Sequence, residues 1–190
     1  MLIELDKQIM ILLNRSISNS VLDSLMPLIT NNKFLGFIGI LLIAHLLINC
    51  GKIGKISILI LIIAVGLTDM ISAQLIKPFI GRLRPSYEFI DSINLLVKKG
   101  GKWSFPSNHA ANSFAFATVL SYFFSKYKLH LFLLASVIAF SRVYVGVHYP
   151  FDILFGAIFG YAISWIALSI WARIKLFGLK YNKDWVLNLD

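Results

Sequence analysis

The sequence predicts an all-α integral membrane protein: a bundle of about five transmembrane helices preceded by interfacial amphipathic helices. Three observations lead there. Hydrophobic residues make up 58% of the chain and mean hydropathy is +0.78, above what a domain with a polar surface carries. Five apolar runs approach the roughly 20 residues that a bilayer requires. The basic residues mostly flank those runs, where anionic lipid head groups lie. At 190 residues the chain forms one domain, with residues 1–30 as interfacial helices, 34–172 as the transmembrane core and 173–190 as a basic tail.

In chain order, Leu2, Leu5, Ile9, Leu12 and Leu13 recur at helical spacing with Glu4, Lys7 and Arg15 between them. This is an amphipathic helix that lies in the interface rather than spanning it. Ser18-Asn19-Ser20 breaks it and offers an N-cap for a second short apolar helix over 21–29. Residues 34–51 contain no Lys, Arg, Asp or Glu and form a first span. Residues 56–76 form a second, interrupted by Asp69 alone, and Pro78 ends or kinks it. Residues 105–125, 129–147 and 153–172 complete the set, the last without a charge. The one long connector, 86–104, is polar and carries Lys98, Lys99 and Lys102. His45 and Cys50 read as packing residues, and a single cysteine rules out an intramolecular disulfide. Glu4 and Asp6 argue against a cleaved signal peptide.

Five spans put the 77–104 and 142–152 connectors on one face with the N-terminus. The other face holds Lys52, Lys55, Lys126, Lys128, Arg173, Lys175, Lys180 and Lys183, with Trp171 and Trp185 placed for an interfacial belt. Those cations have no chemical task, so the positive-inside rule makes that face cytoplasmic and the first face outward. Net charge is +9, but its placement beside apolar runs selects lipid rather than nucleic acid as partner.

Three stretches carry the chemistry: KPFIGRLRP at 77–85, PSNH at 106–109 and SRVYVGVHYPFD at 141–152. Lys77, Arg84 and Arg142 are cations among lipid-facing segments, a costly arrangement without an anion between them. Lys77 and Arg84 are seven residues apart, the spacing of two helical turns. Ser107 is placed to cap the third span, whose free N–H groups attract an anion. His109 falls in that helix's first turn. His148 and Asp152 are four apart, so the carboxylate can fix the imidazole's tautomer and leave its second nitrogen as a nucleophile. Snorkelling cations, a cap and an interfacial histidine would each explain one stretch alone; they do not explain all three together.

In order and internal spacing the three stretches resemble the signature of the type 2 phosphatidic acid phosphatase superfamily. That signature is Lys, six residues, Arg-Pro; Pro-Ser-Gly-His; and Ser-Arg, five residues, His, three residues, Asp. The resemblance implies a metal-independent membrane lipid phosphatase with no cofactor. It casts His148 as the nucleophile forming a phosphohistidine, Asp152 as its holder and His109 as general acid. Lys77, Arg84, Ser107, Asn108 and Arg142 then bind the phosphate. The substrates it implies are undecaprenyl diphosphate, phosphatidylglycerophosphate, phosphatidic acid or lipid A 1-phosphate. The small size resembles bacterial members, which implies the inner membrane with the site on the periplasmic face. Asn108 departs from the signature, standing where Gly is usual, which bears on substrate range.

Two stripes of small residues, Gly156-Gly160-Ser164 after Asp152 and Ser113-Ala117-Ser121 after His109, predict close packing of the third span on the fifth. The rival use of Gly156 and Gly160 is a homo-oligomer contact. Asp69 reads as a structural hydrogen-bonding group toward a neighbouring helix. The rival readings are a vanadium-dependent haloperoxidase, which five apolar spans oppose, and a non-enzymatic lipid-phosphate transporter or binding protein, which would not need the His148–Asp152 pair.

Overall fold

The computed structural model describes residues 2–181; Lys183 and Trp185, assigned above to the tail and the aromatic belt, lie outside the described residues. The chain is helical almost throughout. Helices α1 (Leu2–Ile11) and α2 (Ser20–Ile29) precede five long segments. These are α3 (Asn32–Asn49), α4 (Gly51–Ile71) running on through a π-turn into α5 (Lys77–Ile80), α7 (Asn108–Phe123), α8 (Lys128–Tyr144) and α9 (Pro150–Tyr181). The short α6 (Pro85–Glu88) lies in the long connector. Among the described residues the one β-feature is an isolated bridge between Leu83 and Trp103.

Expected boundaries hold closely, and the differences have local causes. Asn19 caps α2, its side chain accepting from the Val21 and Leu22 amides at 3.1 and 3.0 Å. Pro78 does not end the second span. The π-turn Ser72–Ile76 widens the helix just before the proline, and α5 carries it to Gly81, whose left-handed φ of 63° stops it. Arg84 therefore lies beyond the helix in extended backbone, not two helical turns from Lys77. The last helix runs well past 172, to Tyr181.

Three helical stretches, Asn32–Asn49, Gly51–Ile80 and Pro150–Lys180, are long and apolar enough to cross a membrane. At 16 and 17 residues, α7 and α8 are about 24–26 Å long. Helix α7 packs against α4, α8 and α9, and Ala110, Ala111, Ala115, Ala117 and Val119 are wholly buried. Outside this centre, Ile62, Leu129, Ile158 and Ile166 stay more than half exposed, the surface that lipid would solvate.

The α7–α9 contact sets the site. A Cβ on Gly156 would stand 2.6 Å from the Ser107 carbonyl oxygen, and one on Gly160 would overlap the Ala111 carbonyl. Ser164 Oγ donates to the Ala115 carbonyl at 3.2 Å. The expected stripe on α9 is therefore right, and α7 consumes it, so these glycines are not free for a second copy. The stripe expected on α7 is out of phase. Ala111 and Ala115 face α9, while Ser113 lines a recess shared with α3 and α8.

Helix α1 and the π-turn Leu12–Ser16 that follows it are inside out by the standards of water. Leu2, Ile3, Leu5 and Leu12 are exposed, and Asp6 and Asn14 are fully buried. Asn14 donates to the Tyr144 and Asn94 carbonyls at 2.6 and 2.9 Å and accepts from the Asn94 amide at 2.7 Å, tying the N-terminal segment to the end of α8. His45 is a correction: it is exposed on α3, beside Asn49 at 3.1 Å. Cys50 does pack against the cluster of Leu46, Ile58 and Leu120.

Candidate active site

Lys77, Arg84, Asn108, His109, Arg142 and His148 line one cavity of about 780 Å³ at the end of the bundle where α5, α7, the α8–α9 turn and the 100–103 loop meet. All three sequence stretches thus converge. Each residue gets there for a local reason.

After Gly81 the chain is extended and runs antiparallel to 102–104. The Arg84 amide donates to the Lys102 carbonyl at 3.2 Å and the Ser104 amide to the Arg82 carbonyl at 2.8 Å. In extended backbone alternate side chains share a side. Arg84 reaches His148, its Nη1 3.1 Å from Nε2, and Arg82 reaches Asp152, its Nη1 3.0 Å from Oδ1. The 100–103 loop is held over the cavity by Tyr87, whose hydroxyl donates to the Gly100 carbonyl at 3.0 Å. Gly100 has φ of 74°, and a Cβ there would sit 3.5 Å from the Arg84 guanidinium. Of the basic cluster, Lys102 lines the cavity, while Lys99 lies over the Tyr87 ring.

His148 is almost fully buried in the α8–α9 turn. Its Nδ1 lies 3.3 Å from Asp152 Oδ2, which also accepts the Tyr149 amide at 2.9 Å. A carboxylate only accepts, so Nδ1 carries the hydrogen and Nε2 keeps its lone pair. Burial first, then Arg84, Arg142, Lys77 and His109, push the His148 pKa well below its ordinary 6.5. His109 Nε2 donates to the Thr30 carbonyl at 3.2 Å, and Arg142 Nη1 donates to Thr30 Oγ1. Thr30, the C-cap of α2, therefore orients both a histidine and an arginine; no motif marked it. Lys77 Nζ donates to the Pro106 and Ser104 carbonyls at 2.5 and 3.3 Å.

Two sequence-predicted residues stand away from the cavity wall. Ser107 is wholly buried as the N-cap of α7, with its own amide given to the Asp152 carbonyl at 3.0 Å. Asp152 is wholly buried behind His148. Asp69 does bond to a neighbouring helix, accepting from Asn108 and Asn112 at 2.7 and 3.1 Å, and it also lines the cavity. Asn108 completes the link by accepting from Ser72 Oγ at 2.8 Å. Arg82 is the main residue that sequence reasoning missed. It pairs with Asp152 and, through Nη2 at 2.6 Å, with Asp6 of α1, and its guanidinium lies 3.8 Å over the Tyr149 ring.

Four cations, Lys77, Arg84, Lys102 and Arg142, line a space with one acid, Asp69, on its wall. The Nε atoms of Arg84 and Arg142 are buried without a hydrogen-bond acceptor. Burial, as the largest influence, also pulls the Arg84 pKa below its ordinary value. Such donors are arranged to receive a multiply charged oxyanion, with a lone-pair nitrogen beside it.

The chain is 36% identical over 128 residues to a lipid A 4'-phosphatase of Bacteroides thetaiotaomicron, covering 60% of this chain and 57% of that one. It is 32% identical over 124 residues to phosphatidylglycerophosphatase B of Bacillus subtilis, covering 60% of this chain and 58% of that one. The chain thus spans little more than half the length of these curated relatives. Over nearly the whole molecule it superposes on the crystal structure of Aquifex aeolicus LpxE. There the TM-score is 0.70 with 30% identity, covering 87% of this chain and 95% of the other. A transmembrane PAP2-type phosphatidylglycerolphosphate phosphatase from Bacillus subtilis shares the fold at a TM-score of 0.70 with 23% identity, covering 91% and 87%. The family model for the PAP2 superfamily matches residues 56–175, from the first turns of α4 into α9 and including all three sequence stretches; the chain belongs to the PAP2 superfamily.

Proposed function

We propose that the protein is a membrane lipid phosphatase that hydrolyses the phosphomonoester or diphosphate of a lipid through a phosphohistidine on His148. The observation that carries this is the His148 geometry: Nδ1 tied to Asp152, and Nε2 facing the Arg84 guanidinium on the wall of a cavity that Lys77 and Arg142 also line. A transporter or binding protein would need the cations but not an imidazole held with its lone pair facing them.

In the reaction Nε2 attacks phosphorus, the phosphorus–oxygen bond to the lipid breaks, and the leaving oxygen takes a proton from His109. With His109 Nε2 committed to the Thr30 carbonyl, that proton is carried on Nδ1. Water activated by the same imidazole then cleaves the phosphorus–nitrogen bond, releasing inorganic phosphate and freeing His148. Lys77, Arg84 and Arg142 stabilise the equatorial oxygens in both steps. Asn108 lines the pocket beside them, and Ser107 serves by fixing the start of α7.

The relatives' names narrow the substrate to phosphate on a lipid head group or polyprenyl diphosphate. All five long segments cross the bilayer in this reading, and the site opens on the outer face of the inner membrane, because the exposed Lys52, Lys55, Lys126, Lys128 and Arg173 lie at the opposite end. Purified protein given phosphatidic acid, phosphatidylglycerophosphate, undecaprenyl diphosphate and bisphosphorylated lipid A, with EDTA present, should release phosphate from at least one. No release from any by folded protein overturns the activity. In a Cys50→Ser background, Lys98→Cys should react with an impermeant thiol reagent in intact cells and Lys126→Cys should not; the reverse labelling overturns the orientation.

A further inference from the structure

Behind the His148–Asp152 pair lies a second layer of charge supplied by helix α1. Asp152 Oδ2 serves His148 and the Tyr149 amide, and Oδ1 accepts from Arg82 at 3.0 Å. Arg82 is itself held by Asp6 Oδ2 at 2.6 Å, while Asp6 Oδ1 accepts the Phe151 amide at 2.9 Å, one residue before Asp152. Both carboxylates are fully buried, and the Tyr149 ring lies under the guanidinium. Tyr149 is fixed in turn by its hydroxyl, which donates to Glu88 at 2.7 Å, and Glu88 pairs with Lys7 of α1 at 2.5 Å.

We infer that Asp6 and Arg82 are positioning residues of the phosphoryl-transfer site, acting through Asp152 on His148, and that α1 is thereby part of the catalytic unit. The inference rests on the phosphatase reading above. Two arguments carry it. The first is geometric. A carboxylate can rotate, and a bond at each oxygen stops rotation, so Arg82 on Oδ1 keeps Oδ2 on Nδ1 of the imidazole. The second is electrostatic. Arg82 alone would neutralise Asp152 and weaken its hold on an imidazole that becomes positive when Nε2 takes the phosphoryl group. Asp6 supplies the second negative charge, so the Asp6–Arg82–Asp152 trio keeps a net charge of −1 toward His148. Burial of two acids beside one base is costly unless both are bonded. Here Asp152 accepts a hydrogen bond from the guanidinium and one from the Tyr149 amide, while Asp6 is ion-paired to the guanidinium and accepts the Phe151 amide.

The test uses the full-length protein in detergent, with a lipid phosphate that the wild type turns over. Arg82→Gln and Asp6→Asn should lower kcat by about 10- to 100-fold with KM within about threefold, as loss of a residue behind a reacting group does. Arg82→Lys should recover part of the loss, and Leu5→Ala, on the exposed side of the same helix, should have none. A second readout needs no turnover. The nitrogen-15 spectrum of the chain's four histidines should show one fixed Nδ1–H tautomer that is averaged or shifted in Arg82→Gln and Asp6→Asn. A kcat within about twofold of wild type in both variants, or an unchanged imidazole spectrum, overturns the inference. If the wild type turns over no lipid phosphate while the spectrum changes as expected, the phosphatase reading fails and the positioning of His148 stands.

Discussion

At one end of the bundle Lys77, Arg84 and Arg142 are drawn around a cavity, their stems buried and their donors turned inward. At the other end Lys52, Lys55, Lys126 and Lys128 stand exposed at helix ends and the connection beside them. The residue types are nearly the same, and what differs is desolvation. A cation in water contributes little to any one contact. A cation taken out of water needs an anionic partner, and at the cavity the fixed partners are backbone carbonyls, Thr30 and an imidazole nitrogen. The unmet demand is what a phosphate would satisfy. Charge alone therefore does not locate a site in this chain; charge whose solvent has been replaced by oriented protein dipoles does.

Substitutions of the proposed reacting groups at the cavity end break this contrast most. His148→Ala should lower turnover by at least about 10³-fold with the fold intact, measured as phosphate release by protein of unchanged elution profile. Activity within tenfold of wild type would remove His148 as nucleophile. The pH profile sharpens the point. The lone pair is lost when pH falls through the folded pKa, and that pKa lies below 6.5, so the acid limb of kcat/KM should lie below 6.5. Arg84→Ala and Arg142→Ala come next, each costing about 10²–10³-fold in kcat. Near-normal kinetics would separate them from the phosphate.

Asn108→Gly tests a subtler contribution. The side chain links Ser72 to Asp69 between the α4–α5 segment and α7, so its loss leaves the Asp69 carboxylate at the cavity wall with Asn112 as its remaining side-chain donor. Activity should persist, and the ratio of kcat/KM for two lipid phosphates with different head groups should move by about 10-fold or more. An unchanged ratio would mean that this wall does not touch the head group. The smallest effect belongs to the far end. Lys55→Gln and Lys126→Gln should leave kcat and KM within about twofold, because an exposed cation outside the cavity is screened by solvent and salt.

The helices and the three motifs were legible in the sequence because apolar run length and residue order are written locally. Arg82 was not. Its neighbour Arg84 stood in the motif, and nothing in the spacing told that a left-handed glycine would end the helix first and give both arginines one side of an extended segment. Asp6 was hidden by a general expectation. An acid on an amphipathic helix is assigned to water, yet here the apolar side is the exposed one and the acid turns inward to an arginine 76 positions away. Thr30 escaped for a third reason: it acts through a carbonyl and a hydroxyl at a helix end, groups without a signature. The stripe on α7 was misphased because alanines and serines have nearly the same size, so composition could not choose between adjacent faces.

The extended segment after Gly81 works as a gauge. Two residues of extended chain advance about 6.6 Å, and that step lets Arg82 meet the carboxylate while Arg84 meets the imidazole of the same His148–Asp152 pair. One residue more or fewer between them would turn one arginine to the opposite side, leaving either the imidazole or the carboxylate without a guanidinium. The length of this tripeptide is thus as constrained as the identity of its arginines, and the antiparallel bridge at Leu83 and Trp103 is what keeps it taut.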